Sequence, residues 1–381
     1  MDFALSTAQQ EYQDAAIAFA KAELADDVIA RDAGGEFWRE GWLRCARFGV
    51  HALPIPTEYG GSGGDLMTTI AVMEGLGYGC KDQGLLFSIN AHLWTNSIPI
   101  LLYGTDEQKR RYLPRLCDGS LIGANAASEP ESGSDVFSMR TRATRDGDHY
   151  VLNGTKTFCT NAPVCDLFAA YATLDPSLGV MGICAFLVER DTPGINTSRK
   201  IEKMGLRTSP MAEVIFENCR VPRGSLLGRE GRGAEVFNSS MEWERSNILA
   251  NGLGTMRRQI EQCVQYARSR RQYGHAIGKY QSVANRIVDM KLRYETARML
   301  VYKIGWLKSL GRNAELDVAL AKLHTAESYV KNCLDAIQIH GGYGYMTEFE
   351  LERDLRDAVG STLYSGTTEI QRNIIARRLG L

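Results

Sequence analysis

The chain has 381 residues, 44% hydrophobic and 23% charged, which is enough apolar material for one large domain or two to three smaller ones. Its 44 basic and 45 acidic residues give a net charge of −1, which argues against nucleic acid or an anionic membrane surface as the main partner. Nine cysteines without CxxC or histidine-spaced clusters indicate reduced thiols rather than a disulfide framework or a zinc site, so we expect no metal.

The first part of the chain, to about residue 120, is predicted to be mostly helical. The sequence begins without a basic leader and shows no apolar run that looks long enough to span a bilayer, so a cytoplasmic protein is expected. Apolar residues at helical spacing predict a helix over 10–24, and further helices are predicted over about 66–79 and 84–103. A Pro- and Gly-dense break at 54–64 separates them.

From about 122 to 230 the pattern changes to short strand-like runs. They lie at 136–143, 149–152, 167–172, 182–188 and 212–216. Turn signals such as Asp146-Gly147-Asp148 and Asn153-Gly154 separate them and predict hairpins. This segment is therefore predicted to be a compact all-β domain.

Long helical patterns return after residue 233. They cover roughly 234–272, 278–310, 315–340, 348–357 and 368–378. The order predicts three domains: an N-terminal helical domain at 1–121, a central β domain at 122–232 and a C-terminal four-helix bundle at 233–381.

Five separate motifs carry a family resemblance. The segment 361–372, STLYSGTTEIQR, resembles the C-terminal signature of the acyl-CoA dehydrogenase family, and 127–136, 153–161, 270–274 and 338–345 are similar to further motifs of that family in the same order. The resemblance covers essentially the whole chain. It implies an α+β multidomain fold with a central β-barrel or β-sandwich, the cofactor FAD, and a dimer of dimers.

The resemblance also implies which residues contact FAD. Hydroxyl and backbone groups of a Ser-rich loop would bind the flavin's pyrimidine edge, Thr160 would donate to N5, and Phe158 would flank the ring. A second group, headed by Arg270, would reach the FAD of a neighbouring subunit, where a guanidinium can bind pyrophosphate oxygens in pairs. The full set of implied cofactor residues is Ser128, Ser134, Phe158, Thr160, Arg270, Tyr273, Gln281, Gln338, Gly341, Gly342, Thr367 and Glu369.

Plainer readings of the same motifs stay open. A strand-entry turn, an Asn-Gly hairpin, a basic helix end and a Gly-Gly helix cap would each account for one motif alone. The case for FAD lies in their joint order. A nicotinamide site is not indicated, because no GxGxxG follows a strand and opens a helix.

The catalytic base is the main departure from the family pattern. In most members a Glu occupies the position of Ser365, and a serine cannot act as a carboxylate base. A minority of the family carries its base on the first bundle helix, and 241–245 (MEWER) resembles their motif, which aligns Glu244 with that base. Glu244 also shares a helical stripe with apolar and small residues, namely Phe237, Ser240, Ile248 and Asn251.

An inward-facing carboxylate is costly unless it is paired or functional, and burial would raise its pKa towards the working range. The alternative is a structural ion pair between Glu244 and Arg245. Ser365 keeps its backbone N–H, which by resemblance would bind the thioester carbonyl and stabilise the enolate. Substrate contacts are expected from Ser134, Arg245, Tyr364 and Gly366.

These features predict an FAD-dependent dehydrogenase of an acyl thioester. The small Ser365 side chain favours a compact branched or cyclic acyl group, such as prolyl, on a carrier protein or CoA. Alternatives are a short branched-chain acyl-CoA dehydrogenase, a flavin monooxygenase of the same superfamily, and an inactive scaffold. Electrons would pass to electron-transfer flavoprotein or to oxygen; the sequence does not choose between them.

Overall fold

The computed structural model describes residues 4–25 and 27–381, and its first third is helical. The elements are α1 (Thr7–Glu23), α2 (Val28–Gly34), α3 (Arg39–Phe48), α4 (Leu66–Gly79), α5 (Gln83–His92), α6 (Ile98–Tyr103) and α7 (Asp106–Cys117). Helix α1 begins with a capping box, because the Gln9 N–H donates to the Ser6 hydroxyl at 3.3 Å and the Ser6 N–H donates to the Gln9 side chain at 3.0 Å. The predicted helices over 10–24, 66–79 and 84–103 are confirmed.

Helices α5 and α6 are continuous through a π-helical turn, Leu93–Ser97. By length and composition, the resulting helix Gln83–Tyr103 is apolar enough to cross a membrane, so the expectation that the chain has no such run was wrong. However, 89% of its most apolar window is buried inside the protein. It is the kind of helix that fills the core of a globular domain.

The central part is one mixed sheet of eight strands. They are β1 (Gly123–Ala126), β2 (Arg142–Asp146), β3 (His149–Thr160), β4 (Leu167–Thr173), β5 (Ile183–Glu189), β6 (Ile195–Thr197), β7 (Met211–Pro222) and β8 (Leu226–Leu227). Their order is β6-β7-β3-β2-β4-β5-β8, and β1 pairs in parallel with β4. Every residue of β4 is buried, which explains why that strand reads as a continuous apolar run in the sequence.

Two of the sequence predictions for this domain were wrong. Most of 136–143 is not a strand: Val136–Ser138 is a 3₁₀ turn, and β2 starts only at Arg142. The Asn153-Gly154 pair does not turn the chain, because β3 runs straight through it with an irregular register against β7. Gly154 has φ +148°, and a Cβ there would lie 2.5 Å from the Thr141 hydroxyl, so the glycine serves a close approach rather than a hairpin.

The C-terminal part is again helical. Its elements are α8 (Gly233–Asn247), α9 (Ala250–Ser269), the hairpin β9 (Arg271–Gln272) and β10 (His275–Ala276), α10 (Gln281–Ser309), α11 (Glu315–His340), α12 (Leu351–Gly360) and α13 (Thr368–Arg378). The helix predicted over 234–272 is two helices, since the chain turns at Ile248 and Leu249. The other predicted helices agree within a few residues.

The N-terminal helices and the bundle are joined by a close crossing of α4 and α9. A Cβ at Gly77 would lie 1.9 Å from the Asn251 carbonyl oxygen, and one at Gly254 would lie 2.0 Å from that of Glu74. The two glycines therefore let the helix backbones touch. The domain limits at 121/122 and 232/233 fall between elements and stay a prediction.

Candidate active site

A large cavity lies between the sheet, α8 and the turn that precedes α13. Its volume is about 1690 Å³, well above the roughly 300–1,000 Å³ of a pocket for one small ligand. It therefore has room for a dinucleotide together with a second, extended molecule. The predicted site residues that line it are Ser128, Ser134, Phe158, Thr160, Glu244, Arg245, Tyr364, Ser365, Gly366 and Thr367.

Glu244 lies on the buried face of α8 and is only 7% exposed. The same face is fixed one turn earlier by Ser240, whose hydroxyl donates to the Trp94 carbonyl at 2.9 Å. Burial raises the pKa of Glu244 to about 7, although the Ser365 side chain and the cations Arg245 and Lys322 act to lower it. Glu244 is thus a carboxyl group that titrates near neutrality inside the cavity.

Arg245 does not form the ion pair that the alternative reading required. Its Nε donates to the Ser365 carbonyl at 2.7 Å, and among the described residues no ion pair joins it to Glu244. Glu242, on the same helix, pairs instead with Lys308. Of the two carboxylates in the motif, Glu244 is the one held without an ion-pair partner.

The turn before α13 has an unusual backbone. Ser365 has φ +57° and Gly366 has φ +87°, so two successive residues lie in the left-handed region. Such a conformation in a serine persists only where the surroundings enforce it. Within the described chain, the Ser365 N–H donates to no acceptor, and the Ser365 Oγ, although buried, has no hydrogen bond of normal geometry.

Two buried donors and the half-buried Arg245 hold this turn. Lys322, 1% exposed on α11, donates to the carbonyls of Ser361 and Gly366, both at 2.8 Å. Gln371 donates to the carbonyls of Ser365 and Gly366 at 3.3 and 3.0 Å. With the Arg245 contact, three side chains hold the carbonyls of Ser361, Ser365 and Gly366, while no described group accepts from the Ser365 N–H.

The sequence reading missed Lys322 and Gln371. Burial lowers the pKa of Lys322 to about 7, and the neighbouring Arg245 acts in the same direction. The available signal was a lone lysine within an otherwise apolar stretch, 318–323. A lysine in such a place must find acceptors, and here it finds backbone carbonyls.

The loop that carries Ser128 is anchored to β3. Buried Lys156 pairs with Glu129 at 2.8 Å and donates to the Ala127 carbonyl at 3.0 Å, while the Thr157 N–H donates to the Ser128 carbonyl at 2.9 Å. These contacts fix Ser128 beside the end of β3. The structural interpretation thus holds for the loop at 127–136, whereas the hairpin at Asn153-Gly154 is absent because β3 continues through it.

The residues at this end of the sheet fit a flavin. Phe158 has φ +55° and is 64% exposed while lining the cavity, so it presents an uncovered aromatic face to whatever fills it. Asn125, also in the lining, has a buried side-chain oxygen without a partner. The cavity lining thus combines an acceptor without a donor, an exposed aromatic ring and half-buried Thr160. A planar ring that carries an N–H could stack on Phe158 and donate to Asn125.

Seven predicted cofactor residues do not line the cavity: Arg270, Tyr273, Gln281, Gln338, Gly341, Gly342 and Glu369. All are exposed, Tyr273 by 92%. Near the ends of α9 and α11, the Arg270 guanidinium lies over the Tyr343 ring at 5.7 Å. A single chain therefore does not bring this group to the cavity. Glu369 instead accepts a hydrogen bond from the Thr368 hydroxyl at 3.0 Å.

Among the described residues, no group of three or more His, Cys, Asp or Glu could hold a metal ion. All nine cysteines are free and buried.

The chain is similar to known proteins over nearly its whole length. The chain matches the N-terminal, middle and C-terminal domains of acyl-CoA dehydrogenase at residues 6–120, 124–219 and 231–380. It is 44% identical over 341 residues to the L-prolyl-[peptidyl-carrier protein] dehydrogenase of Pseudomonas fluorescens, covering 89% of this chain and 90% of the relative.

Two solved structures are similar over essentially the full chain. The prolyl acyl carrier protein oxidase AnaB superposes with a TM-score of 0.98 at 50% identity, covering 99% of this chain and 100% of AnaB. PigA with FAD and proline superposes with a TM-score of 0.98 at 41% identity, covering 100% of both chains. The predicted fold is confirmed, and the chain belongs to the acyl-CoA dehydrogenase family.

Proposed function

We propose that this protein is an FAD-dependent dehydrogenase that oxidises an L-prolyl thioester on a peptidyl carrier protein, with Glu244 as the catalytic base. The observation that carries the proposal is the buried Glu244 carboxyl group beside the turn with the free Ser365 N–H. The similarity to AnaB, to PigA with FAD and proline, and to the Pseudomonas fluorescens relative supports the substrate.

Each group has a distinct task. FAD, when bound, supplies the two-electron acceptor for the hydride that leaves Cβ. Glu244 takes the proton from Cα, and a pKa of about 7 suits that task because a base is most effective when its pKa lies near the working pH. The Ser365 N–H donates to the thioester oxygen, where negative charge develops as the proton leaves.

The turn is organised before the substrate binds. Lys322, Gln371 and Arg245 hold the carbonyls of the turn, so the free N–H need not reorient during the reaction. A donor fixed in advance stabilises developing charge more than one that must reorganise. Lys322 is therefore a positioning residue, and in its protonated form it also places a cation near Glu244 that favours the carboxylate.

The shape of the cavity suits a compact ring. Ser365 replaces a longer Glu, so the space of that side chain is open to the acyl group. The rings of Phe87 and Tyr364, 4.7 Å apart, both line the cavity and offer apolar surface to the pyrrolidine carbons. A CoA thioester with a short branched acyl chain is the competing substrate.

The cofactor site requires a second copy of the chain. Arg270, Tyr273, Gln281, Gln338, Gly341 and Gly342 lie exposed and away from the cavity, as expected if they contact the FAD of a neighbouring subunit in a dimer of dimers. We also propose that the reduced flavin passes its electrons to electron-transfer flavoprotein or to oxygen. The proposed location of the protein is the cytoplasm.

The test is an anaerobic titration of the FAD-loaded protein. L-prolyl carrier protein and isovaleryl-CoA are added in parallel, and flavin absorbance is followed. We expect stoichiometric bleaching by the prolyl thioester and little by the CoA ester. Bleaching by isovaleryl-CoA alone would favour the competing substrate, and bleaching by neither would contradict dehydrogenation of both.

A further inference from the structure

Where three segments meet, the lining of the cavity is exposed to solvent. They are the 3₁₀ turn Val136–Ser138, the 3₁₀ segment Pro176–Gly182 between β4 and β5, and the start of α8. The second segment contacts both of the others, and residues from all three line the cavity. Ser134, which by resemblance contacts both FAD and the substrate, lies two residues before the first turn and also lines the cavity. The exposed end of the cavity therefore lies beside one of the residues expected to contact the substrate.

The segment Pro176–Gly182 presents apolar side chains to solvent. Leu178 is 57% exposed and Met181 is 72% exposed, and Val180, also exposed, lines the cavity. Gly179, at φ +55°, interrupts the helical turn between Leu178 and Val180. Exposed apolar side chains grouped at the mouth of a cavity are typical of an interaction site.

A cation completes this rim. Arg232 lines the cavity, and its side chain is 70% exposed. It follows Gly231, where a Cβ would lie 2.5 Å from the Met181 carbonyl oxygen, so the cation and the apolar segment are neighbours. The acidic groups nearby include exposed Glu235, 3.5 Å from Arg232, and exposed Asp135 and Asp175. A solvent-exposed pair at that distance is weak and leaves Arg232 available to another anion.

We propose that Leu178, Val180, Met181 and Arg232, here named the rim, form the docking surface for the body of the peptidyl carrier protein. The inference rests on the proposed function and specifies where the carrier protein binds. A carrier protein is too large to enter the cavity, so it must rest at the mouth while its phosphopantetheine arm extends to Glu244.

The chemistry of the arm matches the rim. The arm is attached to its serine through a phosphodiester, which brings one negative charge to the mouth when the thioester is inside. Arg232 is an exposed guanidinium in the lining at that point, and such a group binds phosphate oxygens in pairs. The apolar side chains would then pack against the carrier's own surface around that serine.

The experiment separates docking from chemistry with two substrates. One is the peptidyl carrier protein that serves the Pseudomonas fluorescens relative, loaded with L-proline on its arm. The other is the L-prolyl thioester of N-acetylcysteamine, which has neither a phosphodiester nor a protein body. FAD-loaded wild type is compared with the double variant Leu178→Ser/Met181→Ser and with Arg232→Gln.

We expect each variant to raise KM for the carrier-bound substrate about tenfold, with kcat unchanged. For the small thioester, kcat/KM should match wild type. Exposed Tyr12 on α1 provides the control, since Tyr12→Ser removes a comparably exposed apolar side chain far along the chain from the rim and should change neither substrate's kinetics. Because all these side chains are exposed, the variants should fold.

Unchanged KM for the carrier-bound substrate in both variants would overturn the proposal, since the carrier would dock elsewhere. Equal losses with both substrates would also overturn it, because the rim would then shape the small-molecule site. If wild type oxidises the small thioester but not the carrier-bound one, docking fails while the proposed chemistry stands. If wild type oxidises neither, the proposed function itself fails.

Discussion

Replacing Glu244 with glutamine is the sharpest perturbation of the proposed reaction. The substitution keeps the size of the side chain but removes the proton acceptor. A positioned general base contributes about 10²–10⁴-fold to a rate, so flavin reduction by L-prolyl carrier protein should slow by about 10³-fold. The assay is anaerobic stopped-flow absorbance, which isolates the reductive step from reoxidation.

The pH dependence gives a second reading of the same group. A base must be deprotonated, so with a pKa of about 7 the wild-type rate should rise with pH and level off above neutrality. Below that pKa it should fall about tenfold per pH unit. The Glu244→Gln variant should lose this limb. The matched control is Glu242→Gln, since Glu242 lies on the same helix as Glu244 and pairs with Lys308 of α10. This variant should keep the wild-type rate of flavin reduction and its dependence on pH.

The Glu244→Gln variant should also be more stable than wild type. Burial raises the folded-state pKa of Glu244 from 4.5 to about 7. Between these pH values the folded state binds one more proton than the unfolded state. The free energy of unfolding therefore falls as pH rises from about 4.5 to 7, because the buried carboxyl group must ionise. At 1.36 kcal/mol per unit, the penalty above pH 7 is up to about 3 kcal/mol. Denaturant unfolding at alkaline pH should show a gain in Glu244→Gln. Full activity with no gain in stability would refute both the role and the burial argument.

Four further predictions follow from other contacts. Lys322→Met should lower kcat about tenfold with little change in KM and raise the kinetic pKa of Glu244, because the turn loses two hydrogen bonds and the carboxylate loses a cation; an unshifted pH profile would count against this. Ser365→Ala keeps the backbone N–H and should stay within about threefold of wild type in flavin reduction, and a large loss would implicate the hydroxyl. Arg270→Gln should weaken FAD retention about tenfold, measured as flavin content after gel filtration; full retention would contradict a role at the neighbouring site. Burial lowers the pKa of His92 to about 4, so stability should fall as pH drops from about 6.5 towards 4, by up to about 3 kcal/mol, and His92→Gln should flatten that decline in denaturant unfolding.

Helix positions were predictable because their signal is local. Over 315–340 and 66–79, apolar spacing gave the helix limits as the structure has them. The strand at 136–143 and the turn at Asn153-Gly154 were wrong because strand pairing and close backbone approach depend on distant residues. Gly154 is explained by Thr141 and the partner strand β7, neither of which a local window of sequence contains.

The site was predictable where residue identity carried the chemistry. The replacement of a Glu by Ser365 and the inward stripe through Glu244 directed attention to the cavity that both line. The function of Lys322 and Gln371 was hidden, because they act on backbone carbonyls rather than on the reacting atoms. Left-handed backbone at a serine also has no local sequence signature, since its cause is the set of donors around it.

The most direct measurement of the central claim is the effect of deuterium at the prolyl Cα on flavin reduction, followed against pH in wild type. If Glu244 removes that proton, deuteration slows bleaching, and the rate titrates with a pKa near 7. Bleaching that is insensitive both to the label and to pH would show that the α-proton is not taken by this carboxyl group.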